Sequence, residues 1–273
     1  MAYKDLLVVL DSDPGAQRRA ELAIELAGRL GAHLIGLYAT LVPGRLDRFN
    51  APLFNLLDRA EGAAREHAEA IHQAFDAAAR RQGVAAEWRF ATGTPSDLAL
   101  LHGRYADLIV VGQIDRADPE DVIGRLHPEE VALGSGRPVL VVPYAGTFAT
   151  VGRRVLIGWD GSREATRAVN DALPMMAGAE SVTVMTIDGR GHGEVPGADI
   201  ALHLARHGIE ARVEPTVSAG MGVGDILLSR AADLAADLLV IGAYGHTPLR
   251  ELVLGGATRT ILESMTLPVL MSH

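Results

Sequence analysis

Three glycines with the spacing G-x2-G-x9-G follow an apolar run near the end of the chain. Glycine has no Cβ, so the backbone N–H groups around it can approach an anion closely. A helix that begins directly after the third glycine would add unpaired amides at the same point. The spacing differs from the phosphate loop G-x4-G-K-[ST], and no lysine follows it. The pattern predicts a phosphate-binding loop whose residues are Gly242, Gly245, His246, Gly255, Gly256, Ala257 and Thr258. Two tight turns flanking a helix, with His246 exposed, are the alternative that these residues leave open.

Residues at two other strand ends are expected at the same edge of the sheet. Asp160 closes the apolar run 155–159, and Thr186 and Ile187 close the next run along the chain. In open α/β sheets, ligands bind outside the carboxyl ends of the strands, so we expect these residues beside the glycine loop. A carboxylate there accepts hydrogen bonds from hydroxyl or amino groups of a ligand. Asp160 could instead form, with Ser162, the turn that caps the following helix, and the sequence leaves both roles open.

Other chemistry-bearing residues give weaker signals. His203 and His207 have the i,i+4 spacing of a helical metal pair. No third ligand accompanies them, so we expect a solvated helix face and predict no metal site. Spacing alone identifies no Ser–His–Asp set and no carboxylate pair, so we predict no catalytic residue. The chain has no cysteine, which excludes disulfides and thiolate chemistry.

The chain consists of two similar halves. Segment 106–112, Ala-Asp-Leu-Ile-Val-Val-Gly, matches segment 236–242, Ala-Asp-Leu-Leu-Val-Ile-Gly, and the two lie 130 positions apart. Asp11 and Asp160, each at the end of a first strand, lie 149 positions apart. The first half therefore carries 19 more residues, which we place in a loop and a long helix over 43–82. A repeat of this length indicates a duplicated domain.

The hydrophobic pattern predicts an α/β fold. Apolar runs without alternation, separated by alanine-rich amphipathic stretches, are typical of parallel strands that helices cover on both faces. We predict two tandem doubly wound domains, each a five-stranded parallel sheet flanked by helices. A stretch rich in Gly and Thr at 145–152 joins them. The predicted strands are 5–10, 33–39, 85–91, 107–111 and 138–142, then 154–159, 181–187, 210–216, 237–241 and 268–271.

The glycine pattern, ahead of a terminal strand that begins Leu267-Pro-Val-Leu, resembles the universal stress protein family. The repeat extends this resemblance over nearly the whole chain. The resemblance implies an adenine-nucleotide-hydrolase-like fold, a loop that holds ATP phosphates and, at Asp160, an aspartate that contacts the nucleoside. It also implies domains at residues 1–146 and 152–273 whose sheets meet along their last strands, as in a fused dimer.

The two halves differ at the glycine pattern. The family pattern ends in Ser or Thr, whereas this chain has Gly256 at that position and Thr258 two residues on. In the N-terminal half, the gap-free register replaces Gly245, Gly255, Gly256 and Thr258 by Asp115, Arg125, Leu126 and Pro128. A carboxylate would repel phosphates, and proline has no N–H to offer them. We therefore expect a degenerate nucleotide site in the first domain and a working site in the second.

The composition limits the classes of partner that the protein is expected to bind. The formal charge of -9 and the absence of any Lys/Arg-rich block disfavour nucleic-acid binding. No apolar run reaches the roughly 18–20 residues needed to cross a bilayer, and the run at 6–10 is too short for a signal peptide. We expect a cytoplasmic protein with neither a nucleic-acid nor a membrane partner.

These features predict a stress-response protein that binds ATP or another adenine nucleotide in its C-terminal half and acts as a regulatory binding module. Mg²⁺ as an accompanying ion, a homodimer and an unidentified protein partner are left open. We expect slow hydrolysis or none, because no residue that would activate water is identifiable. One alternative is a nucleotide-independent scaffold or dimerisation protein of the same family, which Gly256 favours and the intact glycine spacing disfavours. A hydrolase of the related superfamily would need a catalytic base that we do not find.

Overall fold

The computed structural model describes residues 2–41, 51–115, 125–189, 197–244 and 256–273. Within them, the strands form one ten-stranded sheet in the order β3-β2-β1-β4-β5-β10-β9-β6-β7-β8. The strands are β1 Asp5–Leu10, β2 His33–Thr40, β3 Ala86–Thr92, β4 Leu108–Gly112, β5 Val139–Val142, β6 Arg154–Gly158, β7 Ser181–Ile187, β8 Ala211–Thr216, β9 Leu238–Gly242 and β10 Val269–Ser272. The helices are α1 Ala16–Leu30, α2 Ala51–Gln82, α3 Pro95–Gly103, α4 Pro128–Gly134, α5 Arg163–Met176, α6 Ala198–Arg206, α7 Val223–Asp233 and α8 Gly256–Ser264.

Both halves have the same strand order, and the predicted α/β fold is confirmed. Every neighbouring pair within a half is parallel, and the last strands of the halves, β5 and β10, pair antiparallel at the centre. The greater length of the first half lies at α2, which has 32 residues, whereas its counterpart α6 has nine. In the described part of the chain, no helix is both long and apolar enough to cross a membrane.

The sheet lies between two apolar layers. Along β1, Leu6, Val8 and Leu10 belong to the cluster on one face, and Leu7 and Val9 belong to the cluster on the other. All five are fully or almost fully buried. A strand that is covered on both faces gains from apolar side chains at every position, which explains the continuous hydrophobic runs in the sequence.

One aspartate in each half explains the repeated Ala-Asp pair. Asp237 accepts hydrogen bonds from the backbone N–H groups of Gly152 and Arg154, at 3.0 and 2.9 Å, and from the Thr150 hydroxyl at 2.8 Å. Its counterpart Asp107 accepts from the N–H of Lys4 at 2.6 Å. Each carboxylate thus fastens the chain that enters the first strand of its half, and Asp237 also anchors the end of the joining segment.

Candidate functional site

A cleft of about 150 Å³ opens at the carboxyl ends of β6, β7 and β9. Helix α7 and the first turn of α8 form its remaining walls. Because β6 and β9 are neighbours and β7 lies beside β6, their ends bring together residues that are far apart in sequence. The cleft is lined by Gly158, Trp159, Asp160, Met185, Ile187, Val223, Leu227, Ile241, Gly242, Tyr244, Gly256, Ala257, Thr258 and Ile261.

The inner wall of the cleft is apolar. Met185, Ile187, Leu227, Ile241 and Ile261 belong to a single buried cluster on this face of the sheet. Such a wall suits a flat aromatic ligand group, because burying apolar surface from both partners releases water. Polar groups lie at the mouth, where they can fix the orientation of a ligand.

Asp160 lies at the mouth of the cleft and is exposed. Its Oδ1 accepts a hydrogen bond from the N–H of Ser162 at 3.0 Å, which closes a turn at the end of β6. Ser162 is the N-cap of α5, because its hydroxyl accepts from the N–H of Ala165 at 3.1 Å. The turn therefore orients the Asp160 carboxylate, while the capping role belongs to Ser162. The two alternatives for Asp160 are compatible in one loop.

The start of α8 presents backbone amides to the cleft. Gly256, Ala257 and Thr258 form its first turn, and the first N–H groups of a helix have no intrahelical acceptor. Helix α7 supports this turn from behind. A Cβ on Gly224 would lie 2.9 Å from the carbonyl oxygen of Ala257 and 2.8 Å from the Cβ of Thr260. Only glycine at that position lets α7 and α8 approach so closely.

Gly242 and Gly256 are glycines for different reasons. A Cβ on Gly242 would lie 2.4 Å from the backbone nitrogen of Ala165, so this glycine allows the end of β9 to pack against the start of α5. Among the described residues, a Cβ on Gly256 would meet no atom within 4 Å. Packing against those residues therefore does not require glycine at Gly256, the position that carries Ser or Thr in the family pattern.

The structure brings some predicted residues together and not others. Asp160, Ile187, Gly242, Gly256, Ala257 and Thr258 all line the cleft. Gly245, His246 and Gly255 lie outside the described residues. Thr186 is not brought to the cleft, since neighbouring residues of a strand point to opposite faces. Its side chain is fully buried on the other face of the sheet, where its methyl carbon would lie 3.2 Å from a Cβ on Gly197, and its hydroxyl has no hydrogen-bond partner.

Sequence reasoning missed several lining residues. Tyr244 has φ of 59°, a left-handed conformation that is uncommon for a residue with a side chain. Its position between two glycines of the pattern was the available signal. Met185 was also detectable, because it precedes Ile187 by two positions and so shares its face. Val223 and Leu227 follow a glycine-rich turn, and that pattern marks a strand-to-helix connection without showing that the helix reaches the cleft.

Acidic groups surround this end of the sheet. Glu164 is buried in the first turn of α5, and Arg163 donates a hydrogen bond to it. Burial raises the pKa of Glu164, but the hydrogen bonds from Arg163 and from its own backbone, with the charges of Arg163 and His273, outweigh burial and lower the pKa overall. Within the described residues, the cleft lining contains no Lys or Arg. Among the described residues, the backbone N–H groups of the first turn of α8 are the groups that would attract an anion.

The corresponding cavity in the N-terminal half is reduced to about 20 Å³, and the side chain of Arg19 is part of its lining. Arg19 is only 3% exposed, and its guanidinium donates to Asp11 at 2.8 Å, to Asp13 at 3.3 Å and to the carbonyl of Val9 at 2.8 Å. A Cβ on Gly112 would lie 2.0 Å from Nη1 of Arg19, whereas a Cβ on Gly242 would meet the backbone at the start of α5. Arg19 therefore takes the place that the start of α5 takes in the C-terminal half, at the edge of a cavity that is much smaller.

The residues expected to disable the N-terminal half take different positions. Arg125 and Leu126 line this small cavity, and Arg125 lies 3.6 Å from Asp11. Pro128 begins α4, where a missing N–H costs little. Asp115 follows β4 and is not among the residues that line the cavity. Arg19 was not predicted at this cavity, because its only signal is one charge on the otherwise alanine- and leucine-rich face of α1.

The histidine pair on α6 forms a compact contact. The rings of His203 and His207 have centroids 4.7 Å apart, and Nε2 of His203 lies 3.3 Å from the side-chain oxygen of Asn170. Among the residues that the structure describes, no group of three or more His, Asp or Glu side chains could hold a metal ion.

Comparison with known proteins agrees with the fold. A family model described as the universal stress protein family matches residues 2–143 and 152–273. A universal stress protein of Synechocystis sp. is 26% identical over 163 residues, which make up 52% of this chain and 49% of that protein. The chain thus spans about half the length of the curated relative that it matches.

Two solved structures cover nearly all of the chain. A universal stress protein from Archaeoglobus fulgidus DSM 4304 is 18% identical, with a TM-score of 0.72, and the match covers 98% of this chain and 95% of that one. A functionally unknown protein from Pseudomonas aeruginosa PAO1 is 19% identical, with a TM-score of 0.57 and coverage of 99% and 92%. At these identities the structures show a shared fold alone. Because the family model matches both halves, this chain belongs to the universal stress protein family, as a member with two copies of the family domain in tandem.

Proposed function

We propose that the C-terminal half binds an adenine nucleotide, with ATP as the first candidate, and that the protein acts as a regulatory binding module in a stress response. One observation carries the proposal. The cleft at the ends of β6, β7 and β9 combines an apolar wall, an exposed carboxylate and the amide-bearing start of a helix. A base, a ribose and a phosphate chain require these three chemistries in this order.

The proposed ligand lies along the cleft. The adenine ring packs on the apolar wall near Ile187 and Ile241, and the Asp160 carboxylate accepts hydrogen bonds from ribose hydroxyls. The phosphates receive N–H groups from Gly256, Ala257 and Thr258. Gly245, His246 and Gly255 remain predictions of the glycine pattern for the same phosphates. Mg²⁺ bound to the phosphates would offset the acidic surroundings, and we propose it as the companion ion.

The halves have separate roles in this proposal. Domain 1–146 carries a cavity of only about 20 Å³, lined by Arg19, Arg125 and Leu126, and domain 152–273 carries the open cleft. This difference between the halves predicts that each chain binds one nucleotide. We propose that the protein binds the nucleotide in the cytoplasm and hydrolyses it slowly or not at all. The bound nucleotide would change how the protein interacts with a second copy of the chain or with another protein.

A nucleotide-independent scaffold of the same family is the second candidate. Gly256 favours it, because the family hydroxyl is absent at a position where the structure has room for one. In that case the glycines serve packing, as Gly242 does against α5.

Calorimetric titration separates the two candidates. We expect ATP to bind with a stoichiometry near one, more tightly with Mg²⁺ than without, and adenosine to bind more weakly. Asp160→Ala should weaken both ligands. The matched control is Ser162→Ala, which removes the N-cap hydroxyl of α5 and should lower stability without a comparable loss of affinity. Mass spectrometry of the purified, denatured protein checks for nucleotide retained from the cell. No binding in either assay would favour the scaffold, and two equivalent sites would contradict the closure of the first half.

A further inference from the structure

Helix α8 is held at both ends by different halves of the protein. Its first turn, at Gly256, lines the cleft of the C-terminal half. At its other end, the carbonyl oxygen of Leu262 accepts a hydrogen bond from Nε2 of Gln113, at 2.8 Å. Leu262 is within the last four residues of α8, whose carbonyls have no intrahelical partner. Gln113 belongs to the N-terminal half, directly after β4.

Gln113 is itself rigidly placed. It is 5% exposed, and its Oε1 accepts the N–H of Tyr144 at 3.3 Å. Its backbone N–H donates to the carbonyl of Val142 at 2.8 Å. Gln113 also lines the small cavity that Arg19 and Gly112 line. A buried amide with both side-chain functions paired has one orientation available, because any rotation leaves a polar group unpaired.

We propose that Gln113 is a positioning residue for the nucleotide site of the other half. By fixing the C-terminal end of α8, it sets where the first turn of that helix stands in the cleft. The inference rests on the proposed function, since it concerns the phosphates that the first turn of α8 would bind. The inference gives the N-terminal half a role. A residue at its own degenerate site supports the nucleotide site of the C-terminal half.

The effect should be confined to phosphate binding. Helix α8 has nine residues and is roughly 13 Å long, so a shift at Leu262 reaches Gly256 through a short, stiff element. Asp160 and Ile187 belong to β6–α5 and β7, which Gln113 does not contact through its hydrogen bonds. The ribose and base contacts should therefore survive a change at Gln113, while the amides of the first turn move away from the phosphates.

Where the structure describes the chain, the contact from Gln113 to the end of α8 has no equivalent from the C-terminal half to the end of α4. The residue equivalent to Gln113 in the C-terminal half, 130 positions on, is Ala243. Alanine has no side-chain donor for the end of α4, and the Ala243 carbonyl is instead 2.9 Å from Nδ1 of His273. The two halves therefore differ in this contact, as they differ in the openness of their clefts.

The test compares ATP with adenosine in Gln113→Met. Methionine has a similar length and no donor for the Leu262 carbonyl. We expect the affinity for ATP to fall on the order of tenfold, the factor that corresponds to about 1.4 kcal/mol, and the affinity for adenosine to change less than about twofold. Gln113→Glu keeps an acceptor for Tyr144 and lacks the donor when ionised, so at pH 8 it should lose ATP affinity at least as strongly.

The matched control is Tyr3→Phe. The Tyr3 hydroxyl donates to the carbonyl of Asp171 and so joins the same two halves at a different place. This variant should lower stability without changing the ratio of ATP to adenosine affinity. Hydrogen exchange of the free protein adds a second readout, with faster exchange in α8 for Gln113→Met and not for Tyr3→Phe.

The outcomes separate the two proposals. If the unmodified protein binds neither ligand, the proposed function fails and this inference fails with it. If the protein binds both ligands and Gln113→Met leaves their ratio and the exchange of α8 unchanged, the function stands and the positioning role of Gln113 is wrong. An equal loss for ATP and adenosine would show general destabilisation and would also overturn the inference.

Discussion

Replacing Arg19 by methionine should destabilise the N-terminal half strongly. Arg19 is 3% exposed and supplies the donors for Asp11, Asp13 and the carbonyl of Val9. Methionine fills much of the same volume but leaves these three acceptors without their donor. Two of the acceptors are carboxylates that the fold holds close to each other, so the variant also removes the charge that keeps them together.

The expected loss follows from the burial of the three groups. Removing one partner of a buried ion pair costs about 3–5 kcal/mol, because the other charge stays in a poorly solvated place. The side chains of Asp11 and Asp13 are 21% and 12% exposed, so water reaches them in part. We therefore expect the lower end of the range, about 3 kcal/mol. Adding Asp11→Asn should return part of this loss, since it removes one of the two neighbouring carboxylate charges.

Urea unfolding followed by tryptophan fluorescence measures the effect in the relevant half. The chain has two tryptophans, Trp88 in β3 and Trp159 after β6, so a Trp159→Phe background reports the N-terminal half alone. Arg18→Met is the matched control, because Arg18 is only partly buried and donates to the carbonyls of Tyr144 and Gly146 at the surface. It should cost about 1 kcal/mol. If Arg19→Met costs no more than this control, Arg19 does not hold Asp11 and Asp13 as a buried ionic cluster.

Three further changes test the cleft and the seam between the halves. Gly256→Ser places a Cβ where no atom of the described residues lies within 4 Å, so titration should show tighter ATP binding by about three- to tenfold. Gly224→Ala should cost about 1–3 kcal/mol in urea unfolding and weaken ATP, because the new methyl group pushes α8 away from α7. Burial raises the pKa of Asp171, and the Ser272 hydrogen bond and the charges of Arg167 and Arg137 only partly offset it. Asp171→Asn should therefore be more stable than the unmodified protein at neutral pH, with a difference that shrinks as pH falls through the raised pKa.

The fold was predictable because its strands are buried on both faces. Continuous apolar runs predicted ten strands, and each lies within about one residue of its observed bounds, as 107–111 does for Leu108–Gly112. The end of α1 is also marked in the sequence, because Gly31 follows its last residue and adopts the left-handed conformation of a C-cap. The pairing of β5 with β10 was different. It came from the family resemblance, because no pattern in either strand specifies its partner.

The candidate site was only partly predictable, for a geometric reason. Sequence locates the end of a strand well, but it does not tell which face of the sheet carries the cleft. Thr186 and Ile187 were therefore both expected at the ligand, and only Ile187 lies there. Residues that reach the cleft from α7, such as Leu227, depend on how closely two helices approach. That distance is set at Gly224, whose importance is invisible until α8 is placed against it.

The difference between the halves lies in the position of a helix as well as in one residue. At Gly112, the space that a Cβ would take is occupied by the Arg19 side chain, whereas at Gly242 it is occupied by the backbone of Glu164 and Ala165. The start of α5 thus packs directly against the end of β9. The start of α1 lies farther from the end of β4, and the guanidinium of Arg19 occupies the space between them. Residue 168, which corresponds to Arg19 by the 149-residue offset, is a fully buried alanine. Because helix position and side chain differ together, removing Arg19 alone would leave an unsupported cavity between Asp11 and Asp13 and would not rebuild a second nucleotide site.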